Sequence, residues 1–148
     1  MNKKVVFNTI KEKVEKRVNE IKKALNTQKE SLKTTSSSTA GDKHNTSRAM
    51  MHIEEEKLTK QLDQLLQLKK LIYKVNPEKY SDEVTLGSLV ETNKGWLFLA
   101  VPIGKIEIEK QNLMAISLAS PVGQALKGKK AKDSTKFNDQ IWEIISVC

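Results

Sequence analysis

The sequence predicts an α+β protein in two parts: a long antiparallel helical hairpin (a coiled coil), then a small antiparallel β domain with one short helix. Three observations predict this. Apolar residues recur at heptad spacing through the first half. One polar segment interrupts that pattern, and after Pro77 the chain changes to short alternating runs separated by turn residues.

The first helix rests on Phe7, Val14, Ile21 and Gln28, which fall seven apart, as do Val18, Leu25 and Leu32. Such a 3-4 stripe through charged sequence is the pattern of a coiled-coil helix, and neither Gly nor Pro falls between Met1 and Ala40. Met51, Leu58, Leu65 and Ile72 repeat the heptad in the second helix, backed by Leu62 and Leu68. Each helix is expected to run about 28 residues, or roughly 42 Å at 1.5 Å per residue. Neither can bury its stripe alone, and a short connection makes them antiparallel neighbours. A parallel coiled-coil dimer is the alternative, and the Ser/Thr/Gly break argues against it.

That break is the tip of the hairpin, expected over about residues 34–46 within a hairpin of residues 1–76. It carries one carboxylate, Asp42, between Gly41 and Lys43, with His44, Asn45 and Arg48 close behind. Gly41 is expected to help the chain reverse, and Thr46 or Ser47 to cap the second helix.

Residues 77–84 read as a linker and 85–148 as the β domain. An Asn-Lys-Gly turn separates two expected strands, Ser88 to Thr92 and Trp96 to Val101. "MAISLAS" reads as another strand, and "STKF" and "IWEIISV" as the last two. Between them Ser120 fits an N-cap, Pro121 the first helical position and Gly128 the residue just past the end of a two-turn helix.

Charge divides along the same line. Residues 1–41 carry ten Lys/Arg against four acids, residues 42–76 seven against five, and residues 77–148 nine against nine. The formal charge of +8 therefore lies in the first half, which points to an anionic partner, most often nucleic acid or a nucleic-acid machine. Lys11, Lys16, Arg17, Lys22, Lys23, Lys29 and Lys33 lie largely off the apolar stripe and are the expected contacts to nucleic acid or an acidic channel wall. No run of eighteen apolar residues occurs, so a soluble, cytoplasmic protein with no membrane partner is expected.

Catalytic machinery is hard to find. The single cysteine, Cys148, rules out a disulfide framework and a cysteine metal site. There is no Gly-x-Ser-x-Gly elbow and no phosphate-binding Gly loop. His44 and His52 read as surface histidines, and Glu54 to Glu56 as an exposed run near a helix N-terminus. The expectation is a protein that is not an enzyme, with no catalytic residues, no stable metal, no cofactor and no small-molecule substrate.

The combination of a basic hairpin ending in "AGDKHNTSRA" with a sheet domain carrying "SPVGQALKGKKAKD" resembles the Gre transcript-cleavage and elongation factors of bacterial RNA polymerase. Their motif runs Ser-Pro-Leu-x-x-Ala-Leu-x-Gly-Lys-x-x-Gly-Asp. Ser120, Pro121, Ala125, Leu126, Gly128, Lys129 and Asp133 follow it, with Gln124 at one of its open positions and Lys132 where the family usually has Gly. The resemblance implies an FKBP-like β domain and a hairpin that enters the polymerase secondary channel, meeting nucleic acid only through the transcription complex. It also implies polymerase docking at Ser120 and Pro121. In the family two tip acids approach the catalytic Mg²⁺; here Gly41 and Asp42 match, but Asn45 stands at the second acid's position. An amide is a weaker ligand for a hard cation, so at most a transient Mg²⁺ contact through Asp42 is implied, with little stimulation of cleavage. The fold is shared with prolyl isomerases, but with aromatic residues at only 5% the chain has little to line a proline pocket. A coiled-coil interaction module unrelated to transcription is the rival reading.

Overall fold

The computed structural model describes residues 1–36 and 41–148, side chains of residues 34–45 excepted. Two helices open the chain: α1 (Lys3–Ser36, 34 residues) and α2 (Gly41–Tyr73, 33 residues). Both are longer than the expected 28 residues. The helices enter the expected 34–46 tip from both sides, to Ser36 and from Gly41, and residues 37–40 lie outside the described residues. Thr46 and Ser47 lie inside α2 instead of capping it. Adding a residue to an existing helix is cheap once the helix is nucleated, so the modest propensity deficit of Ser, Thr and Asn does not stop α2 short.

The chain forms two compact units, Glu12–Lys69 and a second made of Met1–Lys11 with Lys70–Cys148. The first turns of α1 fall in the same unit as the sheet. In the hairpin unit the stripe is buried on α1 at Val14, Val18 and Leu25, while its counterparts on α2 are half-buried. Gln28, the polar member of the stripe, donates from Nε2 to the Met51 carbonyl at 3.1 Å. A single polar residue at such a seam favours one register over its neighbours.

The other unit holds a six-stranded sheet of order β3-β4-β2-β1-β6-β5. Its strands are β1 (Leu89–Thr92), β2 (Gly95–Leu99), β3 (Gly104–Ile108), β4 (Gln111–Ile116), β5 (Ser134–Phe137) and β6 (Gln140–Val147), with α3 (Pro121–Leu126) between β4 and β5. The expected antiparallel sheet is in fact mixed, because β2 and β4 run parallel, with Trp96 opposite Leu113 and Leu99 opposite Ile116. The cause is β3, which sequence reading missed. It forms the sheet edge and returns through Glu109 and Lys110, both at positive φ (51° and 65°), so that β4 enters between β3 and β2. The segment "MAISLAS" accordingly supplies only the end of β4, and residues 117–120 form the turn into α3.

Both faces of the sheet carry buried apolar residues. On one, Val90, Leu97, Leu99 and Ile144 pack with Val84 and with Leu126 of α3. On the other, Leu89, Phe98, Leu113 and Ala115 are at most 1% exposed. In this unit Val6, Phe7 and Ile10 of α1 and Ile72 of α2 are also buried. Lys3, only 5% exposed, donates from Nζ to the Lys79 carbonyl at 2.7 Å and lies 5.2 Å from the Tyr80 ring centroid. Burial holds its pKa below the usual 10.5, outweighing the opposite influence of Cys148.

Candidate functional site

The residues expected at the docking site are built as a capped turn. Ser120 sits in extended geometry (φ −64°, ψ 159°), and its hydroxyl accepts from the Gly123 N–H, with Pro121 as the first helical residue. The same hydroxyl donates to the Ser117 carbonyl at 2.6 Å, so the cap is tied into the preceding turn. Gln124 reaches back from Nε2 to the Leu118 carbonyl at 2.8 Å. Gly123 allows α3 to lie on this turn, since a Cβ there would meet the Leu118 oxygen at 2.6 Å and the Ser117 oxygen closer still.

This turn borders an apolar groove of about 390 Å³ that sequence reading missed. Met114, Ile116, Phe137 and Trp142 line it together with Ser120 and Pro121 of the turn. Its two aromatic residues, Phe137 and Trp142, come from β5 and β6. The Trp142 indole Nε1 is buried without a hydrogen-bond partner, and the Lys94 ammonium stands 5.6 Å from the Trp142 ring centroid. No sequence signal finds such a groove, because strand pairing brings together residues far apart in the chain.

Along α1, Lys16, Arg17, Lys22, Lys23, Lys29 and Lys33 are exposed. Lys11 differs: it is half-buried, and its ammonium lies 4.7 Å from the Tyr73 ring centroid. Arg48 is exposed on α2. His52 Nδ1 is 3.8 Å from Glu55 Oε2 on the same helix, with Glu55 half-buried. The side chains of Gly41, Asp42, Lys43, His44 and Asn45 lie outside the described residues.

No family model and no curated protein matches the chain. Solved structures that resemble it include the following two. One is described as the transcription factor Gfh1, at 18% identity and a TM-score of 0.39, covering 93% of this chain and 92% of that one. The other, Gfh1 of Thermus aquaticus, shows 19% identity and a TM-score of 0.32, covering 88% and 93%. At these TM-scores the likeness is too loose to carry an inference about fold or role. Among the described residues no helix is long and apolar enough to cross a membrane.

Proposed function

We propose that the protein is an RNA polymerase-binding regulator of transcription elongation, of the Gre type, that inserts its hairpin into the secondary channel and docks through the Ser120–Pro121 turn. The observation that carries this reading is the motif at α3. The residues that match the family one by one are those that form the cap, the helix and its exit, with Ser120 capping and Gly128 at φ 78° just beyond the end. The exposed cations of α1 support it, because a slender basic helix suits an acidic channel wall or RNA. In this scheme the polymerase owns the chemistry and its Mg²⁺, and the protein is a modulator without a cofactor of its own. With Asn45 in place of the second tip acid, it occupies the channel more effectively than it promotes cleavage.

The test is binding to purified core polymerase, followed by capture of the tagged protein from cell extract. Core subunits should dominate the captured fraction, and affinity should fall steeply between low and moderate salt. Absence of those subunits, with purified polymerase also failing to bind, would favour the interaction module unrelated to transcription. Binding that stays flat with salt would remove the electrostatic part of the proposal.

A further inference from the structure

A second basic cluster lies on the sheet unit, in the loop that follows α3. That half of the sequence is neutral in sum, yet four of its nine lysines fall between residues 127 and 132 (Lys127, Lys129, Lys130 and Lys132). No acid occurs between Glu109 and Asp133. Lys127, Lys130 and Lys132 are exposed and Lys129 is half-buried. Among the described residues only Lys130 has a carboxylate partner, Asp82 at 3.3 Å, with both side chains largely exposed.

The loop that carries them is braced. The Gly128 N–H donates to the Val84 carbonyl at 2.8 Å, and the Val84 N–H returns a bond to the Lys129 carbonyl at 2.8 Å. The Lys130 N–H donates to Asp133 Oδ2 at 2.8 Å, and the Lys132 N–H to the Ile144 carbonyl at 2.8 Å. A cation on such a platform loses less backbone freedom when it meets a ligand than one on a loose tail. The loop also enters left-handed backbone twice, at Gly128 (φ 78°) and at Lys132 (φ 75°). Glycine adopts that region at no steric cost, whereas a lysine there is strained. The other non-glycine residues at positive φ, Glu109, Lys110, Asn138 and Asp139, are adjacent pairs between β3 and β4 and between β5 and β6, where two-residue hairpin turns demand that conformation. Lys132 stands alone, a charge kept at a position glycine would fill without strain. Strain that persists at one residue is a pointer to function.

We infer that the Lys127–Lys132 loop binds the phosphate backbone of nucleic acid. Lysine supplies point charges suited to phosphates, whereas recognition of protein carboxylates favours the arginine fork. Between Lys127 and Asp133 the only apolar side chain is Ala131. The loop therefore lacks the apolar core and aromatic anchors of a protein interface, and purely electrostatic contact is the mode of backbone binding. This inference concerns the protein alone and does not require the polymerase reading.

Anisotropy of a labelled short duplex DNA, titrated with the full-length protein over a range of salt, tests it. Lys127→Ala/Lys130→Ala/Lys132→Gly should weaken binding and reduce the log–log salt slope by roughly 2 to 3, at about 0.9 per phosphate contact. Lys132→Gly alone should reduce the slope by about 0.9 without lowering the melting temperature, a combination that a merely structural lysine would not produce. A folded triple variant with unchanged slope overturns the inference. So does tighter wild-type binding to labelled polyglutamate than to DNA of equal charge, which would assign the loop to acidic polypeptide.

Discussion

A methyl group added to a helical glycine ordinarily stabilises by about 0.5–1 kcal/mol, and at Gly123 that sign should reverse. The added Cβ meets backbone oxygens of the 117–118 turn, which cannot swing aside, so Gly123→Ala is expected to cost about 1–3 kcal/mol in chemical denaturation. Lys3 should show itself through pH. Because burial lowers its folded pKa below 10.5, the unfolded chain holds more protons than the folded one in the alkaline range beneath that value. Stability from this group therefore rises with pH there. Denaturation midpoints measured at several alkaline pH values should rise more steeply for wild type than for Lys3→Met. At the hairpin tip, chemistry argues from residue identity alone. Asp42→Ala should abolish any stimulated RNA release from backtracked complexes while polymerase binding stays within about twofold, and Asn45→Glu should raise release by restoring a second carboxylate for a hard cation. Strong release that survives Asp42→Ala would show that the tip does not work this way.

Elements differ in how much of their course can be read from sequence. The cap of α3 was legible because Ser120, Pro121 and Gly128 each answer a backbone demand of a helix end. Ser120→Ala should cost about 1 kcal/mol of stability, more if the lost bond to the Ser117 carbonyl loosens the turn. Pro121→Ala leaves the hydroxyl cap in place, so it should reduce polymerase binding while thermal stability moves little. Equal loss of both quantities would make the turn structural only. β3 was illegible for a local reason: its turn uses Glu109 and Lys110, neither of which carries the Asn or Gly signal of a two-residue hairpin. Missing that strand concealed the parallel pairing of β2 and β4, since an extra strand must lie between them in sequence. The same pairing supplies the groove floor, so the groove was beyond reach once β3 was lost. The helices of the hairpin were legible in kind, from the heptads, and wrong in extent, because propensity near a helix end is weak beside the gain from continuing a helix already begun.

At the scale of the whole molecule the charge division was the most readable property, since it needs only counting, while the composition of the compact units needed tertiary contacts. The sheet shares its compact unit with Met1–Lys11 and with the segment that begins at Lys70. A fragment of residues 77–148 should accordingly expose one apolar face of the sheet and aggregate or bind a hydrophobic dye. Fusing residues 1–11 through a flexible linker should restore solubility and a cooperative melt; a well-folded fragment without them would refute that grouping. There is a consequence for biosynthesis. Residues 1–11 emerge from the ribosome before the sheet does, and Leu89, whose backbone pairs with Cys148 at 2.9 and 3.0 Å, emerges long afterwards. At roughly 5–20 residues per second the wait is on the order of ten seconds, while helix formation in the hairpin takes on the order of microseconds or less. Through that interval Val6, Phe7 and Ile10 are apolar side chains on a nascent helix without their eventual neighbours. Lys3, Lys4 and Lys11 flank them, and flanking charge of this kind keeps an exposed apolar segment from associating with its like. Part of the basic character of the first turns thus serves the growing chain before it serves any partner.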